Sequence, residues 1–445
     1  MGSREQWGSR QGFVLATIGA AVGLGNIWRF SYVAGENGGA VFLFLYLICI
    51  ALVGLPLVIA ELSLGRRAQG DAVAAFEFAD NGTPWRRLGW ISVAAAVLIL
   101  SYYAVIAGWA LKYFIGAASG NLWTTAGVGF GAFFQQFIAD PGEPIGWQAA
   151  MIAAAMFTVA GGVQRGIERI NRWLMPVLVI IIMGLAAYAL FLPNAGAGVR
   201  FLFAPDWSVL SEPAVYIAAL GQAFFSLGIG MAIFVTYGSY MPRTFSLPSS
   251  AAAIAFGDSL FAIVAGLAIF PAVFAFGVDP TAGPELAFIT LPQVFLDMPG
   301  GRVIGAIFFA LLSMAAFTSM VALMEVPVSV AVHRLKLRRW TASAAVGAVV
   351  FAVGIPSAMS FGMLAHIQIG RHGILDAIDA GVSNFLLPIS GVLVAVFVGW
   401  RLKRSDSLHE ADLAGSRLGD AWLWLLRILV PITILTILLQ SASTL

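Results

Sequence analysis

Long apolar segments recur along almost the whole chain, and they limit its possible folds more than any other feature. Eleven windows are apolar enough for a helix across a bilayer, which needs about 20 such residues. They lie near 11–35, 40–65, 88–113, 147–163, 173–192, 214–241, 250–277, 301–332, 340–355, 375–400 and 420–440. Only 10% of the 445 residues are charged, against about 25% in soluble domains. The sequence predicts one all-α polytopic membrane domain over residues 1–445.

Positive charges predict how these segments thread the membrane. With a cytoplasmic N-terminus, the predicted inner segments carry 18 of the 24 Lys and Arg residues. The outer connections hold only Arg200, Arg302 and Arg371 away from helix ends. Cytoplasmic loops of membrane proteins are enriched in Lys and Arg. We therefore expect a multi-pass cell (inner) membrane protein whose N-terminus is cytoplasmic and, because the count is odd, whose C-terminus lies outside.

Charge and cysteine content exclude several other classes. A net charge of +2 over the whole chain provides no electrostatic surface for nucleic acid. The single cysteine, Cys49, cannot form an internal disulfide or supply a cysteine zinc set. The lipid bilayer is the partner that the sequence indicates directly, and the oligomeric state is left open.

Glycine interrupts two of the apolar segments, the first between Gly19 and Asn26 and the sixth between Phe224 and Gly230. They lie five segments apart, at corresponding positions of two halves, as in inverted-repeat transporters with broken helices. Gly19 and Gly23 alone could be a small-residue packing face. The polar Asn26 and the second break favour unwound backbone, which is tolerated at this depth only where it lines a cavity. The predicted repeats are 1–200 and 201–405, followed by 406–445.

The run from Gly19 to Phe30 reads Gly-Ala-Ala-Val-Gly-Leu-Gly-Asn-Ile-Trp-Arg-Phe. In this run the chain closely resembles the neurotransmitter:sodium symporter family. Further matching positions are Glu36 to Gly39, Gly54 to Pro56, Glu61, Tyr102, Tyr103, Gly166 to Glu168, Gln222 to Gly230, Thr318, Ser319 and Asp379. The resemblance implies a leucine-transporter-type fold with eleven helices, broken helices 1 and 6, and sodium-coupled uptake of an amino acid or amine.

Two sodium sites are implied by the resemblance. Oxygen ligands from side chains and freed carbonyls suit a hard cation. The first expected set is the carbonyl of Ala21, the amide oxygen of Asn26, Ser226 and Asp258. The second expected set is the carbonyls of Gly19, Val22 and Ala315 with the hydroxyls of Thr318 and Ser319. As an isolated pair, these two hydroxyls would be expected to bond back to their own helix.

Chloride is not expected to be required in addition to the two sodium ions. Many relatives have Asn at the position that aligns with Asp258 and bind chloride nearby. Burying uncompensated cations is expensive, so the site needs a further negative charge, which Asp258 can supply. The alternative is a protonated Asp258 that only forms hydrogen bonds.

The resemblance also implies a substrate pocket with one polar end. A carboxylate is expected to meet the amides of Leu24 and Gly25 and the Tyr103 hydroxyl, where the helix dipole favours an anion. Tyr103 taken alone could equally be a packing aromatic. The other expected pocket residues are Ala20, Ile99, Phe225, Ser226, Gly228, Met231, Ser319 and Leu323. Their mainly apolar character predicts a neutral, hydrophobic α-amino acid.

Substrate class is constrained by two glycines. Gly23 stands where amine carriers of the family have Asp, so the substrate should bring its own carboxylate. Gly228 stands where amino-acid carriers of the family's bacterial branch often have Ser, while some relatives with longer substrates have Gly there. A β- or γ-amino acid or a related osmolyte is therefore the alternative substrate.

Charges within the membrane are costly and mark functional positions. Arg29 and Asp379 match an outer gate, an ion pair that closes above Phe225. A static structural pair is the alternative. Glu61 is expected to tie the second helix to the freed amides of helices 1 and 6.

At the inner side, Arg4 and Trp7 match the N-terminal latch of the family. Tyr240 is expected to orient Arg4, but His333 stands where the latch usually has an acid. The sequence assigns no role to Glu325 or Asp376.

An enzyme is the rival class, in the form of an intramembrane aspartyl protease around Gly257 and Asp258. Such a protease needs two carboxylates that share a proton. Ala255 breaks the required Gly-x-Gly-Asp pattern, and in no predicted span does an Asp directly follow a Tyr, as the second catalytic Asp would. A passive channel is disfavoured as well, because this sequence has none of the rings of charge or carbonyl repeats that select ions in a pore.

Overall fold

The computed structural model describes residues 5–77, 85–127, 129–277 and 286–443. In chain order the helices are α1 (Arg10–Ala21), α2 (Gly25–Glu36), α3 (Ala40–Ala68), α4 (Ala74–Glu77), α5 (Arg86–Ser119), α6 (Asn121–Thr124), α7 (Phe130–Ala139), α8 (Glu143–Ala160), α9 (Val163–Leu190), α10 (Ala195–Phe203), α11 (Pro213–Leu227), α12 (Ile233–Ser239), α13 (Leu247–Ala275), α14 (Thr290–Asp297), α15 (Gly301–Arg334), α16 (Arg339–Ala358), α17 (Ile374–Arg401), α18 (Arg404–Glu410) and α19 (Arg417–Gln440). Two 3₁₀ turns occupy Thr125–Gly127 and Trp207–Ser211. Strands β1 (Gln368–Ile369) and β2 (His372–Gly373) pair antiparallel.

Eight helices of the described chain are long and apolar enough to cross a membrane, namely α3, α5, α9, α13, α15, α16, α17 and α19. The pair α1 and α2 makes a ninth span, bent by 53°. Helix α8 and the pair α11 and α12 lie at the other two predicted spans. The count of eleven spans stays a prediction.

The first break follows Ala21, where α1 stops. Val22 adopts an extended conformation, and α2 begins only at Gly25. The Asn26 side chain stabilises the interruption, because its Oδ1 accepts a hydrogen bond from the freed Gly23 amide at 3.1 Å. The predicted unwinding of the first segment is therefore present.

The second break separates α11 from α12. Gly228 and Gly230 have φ values of +73° and +84°, in the left-handed region that only glycine adopts without strain. The freed Gly230 amide donates to Glu61 Oε1 of α3 at 2.8 Å. Glu61 thus ties α3 to the break in the sixth span, as predicted, whereas no hydrogen bond joins it to the break after Ala21 within the described residues.

Helix packing brings the two breaks together. Helix α15 packs along α5, while α1 contacts α9, α13 and α15 and α12 contacts α3. At one end of the bundle, Arg66 forms a bidentate pair with Asp412 at 2.7 and 2.9 Å. Asp412 also accepts from the Leu247 amide at 3.0 Å, so one carboxylate links α3, α13 and the segment before α19.

Candidate functional site

A small cavity lies where the two helix breaks meet. Nine of the eleven expected pocket residues line it, together with three others. The lining is Ala20, Ala21, Gly23, Gly25, Ile99, Tyr103, Phe225, Gly228, Met231, Ile233, Ser319 and Leu323. The structure therefore brings together α1, α2, α5, α11, α12 and α15 around one mainly apolar space. The sequence reasoning missed Ile233, the first residue of α12, because the direction that its side chain faces depends on how the chain leaves the second break.

The polar end of the cavity is built around Tyr103. Its hydroxyl oxygen accepts a hydrogen bond from the Leu24 amide at 3.0 Å. A Cβ on Gly23 would come within 2.6 Å of that hydroxyl and 2.4 Å of Ser319 Oγ. Leu24 is expected in the pocket but lies outside its lining and contributes its amide instead. A freed amide and a phenolic hydroxyl at the start of α2 are suited to a carboxylate.

Asp258 forms the centre of a fully buried polar cluster beside this cavity. Asn26 Nδ2 donates to its Oδ1 at 2.7 Å, and Ser226 Oγ lies 2.8 and 3.0 Å from its two carboxylate oxygens. Tyr46, which the sequence reasoning missed, donates to Oδ2 at 3.1 Å. Within the described chain no Lys, Arg or His pairs with this carboxylate.

Three of the four residues predicted for the first sodium site are thus in mutual contact, and the fourth, Ala21, lines the adjoining cavity. Ser226 belongs to this cluster and not to the cavity lining. Asn26 turns its amino group toward Asp258, because an amide nitrogen can donate to a carboxylate. A half-turn of the amide presents its oxygen to a cation instead. The donor set of oxygens fits a hard cation.

The second predicted sodium site lies where α15 meets the end of α1. Ser319 Oγ donates across to the carbonyls of Ala20 at 3.1 Å and Val22 at 3.4 Å. Thr318 Oγ1 donates to Ala315 in its own helix at 2.9 Å, the behaviour expected of an isolated hydroxyl. Both hydroxyls are buried among carbonyl oxygens, a donor set that fits sodium.

Gly19, the remaining residue of this expected set, faces α9. A Cβ there would meet Asn171 Oδ1 at 2.2 Å, so only glycine permits this approach. Asn171 is fully buried, and its Oδ1 has no hydrogen-bond partner in the described structure.

The expected outer gate is indirect. The Arg29 guanidinium lies 4.2 Å from the centre of the Phe225 ring, so the two side chains are in contact. Arg29 Nη1 is 3.5 Å from Ser383 Oγ, which donates to Asp379 Oδ1 at 3.0 Å. Tyr102 donates to the same oxygen at 2.7 Å. The predicted direct ion pair is not formed within 4.0 Å, because Ser383 and Tyr102 occupy Asp379 while Arg29 stacks on Phe225.

Arg4 of the expected inner latch lies outside the described residues. Trp7 is buried, and its indole nitrogen donates to the Tyr237 carbonyl at 2.9 Å. Its backbone amide donates to the Tyr240 carbonyl at 3.2 Å, so the N-terminal segment is anchored on α12. Among the described residues, the His333 ring forms a hydrogen bond with the Ser329 carbonyl of its own helix at 2.9 Å.

Glu325, to which the sequence assigned no role, forms a buried bridge at the inner side. It is fully buried and accepts from the Tyr240 hydroxyl at 2.6 Å. Its other oxygen pairs with Arg339, which also pairs with Glu5 at 2.7 Å. Arg339 therefore joins the N-terminal segment to α15. A buried acid in a membrane span was a signal for a partner, but nothing in the sequence indicated which basic residue.

Three further hydrogen bonds, made by the side chains of Gln222 and Glu168, hold the first span and the segment before it. Gln222 Nε2 donates to the Gly25 carbonyl at 2.8 Å. Glu168 on α9 accepts from the Gly8 amide at 2.7 Å and from Ser9 Oγ at 2.9 Å. Gln222 on α11 thus pairs with the start of α2, and Glu168 on α9 pairs with the two residues that precede α1.

Comparison with known proteins gives concordant matches over the whole chain. A model described as the sodium:neurotransmitter symporter family matches residues 4–132 and 132–445. YhdH of Bacillus subtilis, named as a sodium-dependent transporter, is 39% identical over 98% of this chain and 97% of its own length. A sodium-dependent transporter of Haemophilus influenzae is 32% identical over 98% of both chains. The crystal structure of MhsT in complex with L-phenylalanine superposes with a TM-score of 0.93 and 49% identity, covering 99% of this chain and all of that one.

Proposed function

The chain belongs to the sodium:neurotransmitter symporter family of sodium-dependent transporters, and we propose that it imports a neutral, hydrophobic α-amino acid together with two sodium ions. The family and its solved relative are transporters and not enzymes, which removes the protease alternative. The observation that carries the substrate proposal is the cavity itself. Most of the lining is apolar, and the polar groups, namely the hydroxyls of Tyr103 and Ser319 with the adjoining Leu24 amide, lie together beside Gly23.

An α-amino acid matches this distribution of polarity. Its carboxylate would bind at the start of α2, and its side chain would lie among Ile99, Phe225, Met231 and Leu323. The solved relative MhsT carries L-phenylalanine, which supports an apolar substrate of that size. Close packing of Tyr103 and Ser319 against Gly23 leaves no room for an acidic side chain there. The substrate therefore supplies the carboxylate itself.

We assign the first sodium ion to Ala21, Asn26, Ser226 and Asp258, and the second to Gly19, Val22, Ala315, Thr318 and Ser319. Sodium bound at these two sets of oxygens would supply the driving force for substrate uptake. Two ions that move inward at about 100 mV release ~4.6 kcal/mol from the voltage alone. That amount concentrates a neutral solute roughly 1,000-fold. Chloride is not part of the proposed cycle, since Asp258 provides the compensating charge.

Alternating access is assigned to two gates. On the outer side, Arg29, Phe225, Ser383 and Asp379 would close over the substrate. On the inner side, the contacts of Trp7 with α12 and the bridge through Arg339 would hold the N-terminal segment in place. The protein would lie in the cell (inner) membrane with its N-terminus in the cytoplasm. The C-terminus would then lie outside.

A thermal-stability screen of the purified protein tests the substrate class. We expect phenylalanine, leucine and tryptophan to raise the melting temperature in sodium and to have no effect in choline. A ligand at about 100 times its dissociation constant stabilises by ~2.7 kcal/mol. A response to γ-aminobutyrate or betaine, without a response to α-amino acids, would support the alternative substrate. One structural observation supports that alternative. A Cβ on Gly228 would have no neighbour closer than 3.5 Å, so the glycine leaves space in which a longer substrate could lie.

A further inference from the structure

A basic cleft opens at the first turns of α9, well away from the central cavity. Its volume is about 640 Å³, and it is lined by Gly8, Gln164, Arg165, Glu168, Arg169, Arg172 and Trp173. Arg165, Arg169 and Arg172 are exposed and spaced by four and three residues, so they share one face of the helix. This end of the bundle is the one that we assign to the cytoplasm.

Within the described residues, two of the three cleft arginines have no acidic partner. Glu168 is the only acid in the lining, and it is 2% exposed. Its carboxylate already accepts from Gly8, Ser9 and Arg172, the last at 2.6 Å. Arg165 and Arg169 form no hydrogen bond or ion pair with any residue that the structure describes. Two guanidinium groups thus face the cleft without an anionic partner.

An apolar stripe continues from the cleft along α9. Trp173, Val177 and Ile180 are 72%, 41% and 71% exposed and are spaced by four and three residues. Exposed apolar side chains on a membrane-spanning helix face the acyl chains, and Trp is enriched at the boundary with the head groups. The cationic cleft therefore lies at head-group depth, directly beside a surface for acyl chains.

From this arrangement we propose that the cleft binds the phosphate of an anionic phospholipid, whose acyl chain lies along the stripe. Arginine is suited to phosphate because its fork of N–H groups can donate two parallel hydrogen bonds. Basic pockets at the cytoplasmic side of membrane helices bind anionic head groups in this way. Arg165 and Arg169 hold the phosphate, and Trp173 packs on the glycerol and upper acyl region.

The test measures quenching of Trp173 fluorescence in nanodiscs that contain either brominated phosphatidylglycerol or brominated phosphatidylcholine at equal mole fraction. The signal of Trp173 is the difference between the wild type and Trp173→Phe. We expect stronger quenching by the anionic lipid. In Arg165→Gln/Arg169→Gln the preference should fall roughly fivefold for each charge removed. Both arginines are exposed and have no partner among the residues that the structure describes, so phenylalanine-induced stabilisation in sodium should be unchanged and reports on folding.

Arg86→Gln/Arg87→Gln is the matched control. These two exposed arginines begin α5 at the same end of the bundle and do not line the cleft. Their removal should leave the preference at Trp173 intact. Equal quenching by both lipids, or an equal loss in the control, would overturn the proposal. Displacement of the anionic lipid by inorganic phosphate would also overturn it, because the cleft would then be a site for soluble anions.

Discussion

Replacing Asp258 with serine should weaken sodium binding in the absence of chloride and make it sensitive to chloride. In the structure the carboxylate is fully buried and is surrounded by neutral donors from Asn26, Ser226 and Tyr46. No basic side chain of the described chain neutralises it. Its counter-charge in the proposed cycle is the first sodium ion.

The size of the effect follows from that pairing. Removing one partner of a buried ion pair costs about 3–5 kcal/mol, because the other charge stays buried without compensation. At about 1.4 kcal/mol per tenfold, sodium affinity should fall between roughly 100-fold and several thousand-fold. The shorter serine leaves space beside Tyr46, Ser226 and Asn26, whose hydroxyl and amide hydrogens can bind a chloride ion instead.

The assay follows thermal stability with phenylalanine present while sodium gluconate or sodium chloride is titrated. The wild-type curves should superimpose. For Asp258→Ser, the gluconate curve should shift to much higher sodium, and chloride should recover part of the loss. Tyr46→Phe is the control, since it removes one neutral hydrogen bond from the same carboxylate. Its shift should be smaller and equal in both salts.

Two results would refute this reasoning. A chloride requirement in the wild type means that Asp258 does not supply the compensating charge. A variant that binds sodium as tightly as the wild type means that the carboxylate does not face the ion.

Three other substitutions test neighbouring parts of the account. Tyr103→Phe should weaken phenylalanine binding by about 1.5–3 kcal/mol, the range for a hydrogen bond to a charged group, and unaltered affinity would make Tyr103 a packing residue. Gly228→Ser should lower the affinity for tryptophan more than for alanine, and equal losses of affinity, measured by competition binding, would remove this residue from size selection. Its left-handed backbone should also lower the stability of the folded variant by about 1–2 kcal/mol. Arg339→Ala should destabilise the purified protein by about 3–5 kcal/mol, because Glu325 stays buried without its cation, whereas Glu325→Gln should cost less since Arg339 keeps Glu5. Chemical denaturation compares the two, and equal stabilities would argue against the bridge.

Much of the architecture could be predicted from local sequence. The apolar windows placed the long helices, and glycine beside polar residues located both breaks, since unwound backbone in a membrane needs such residues. The expected family and the leucine-transporter-type fold are confirmed by the matches over the whole chain. The division into repeats and the residue roles remain predictions.

Contacts between residues that lie far apart in the sequence were harder to predict. Asn26 and Asp258 meet across 232 positions, and only the family resemblance suggested that pairing. Glu325 and Arg339 were both visible as charges, yet which side chains meet depends on how α15, α16 and the N-terminal segment pack. The outer gate shows the same limit, because Ser383 carries no charge that would mark it as the bridge between Arg29 and Asp379.

The central claim is sodium-coupled transport of an apolar amino acid, and uptake of labelled phenylalanine into proteoliposomes tests it most directly. The vesicles are loaded with potassium, and valinomycin sets an inside-negative potential while the external salt is sodium gluconate, sodium chloride or choline chloride. The account predicts accumulation in both sodium salts, a faster rate with the potential than without it, and no accumulation in choline. Uptake that continues unchanged in choline, or that ignores the potential, would contradict it.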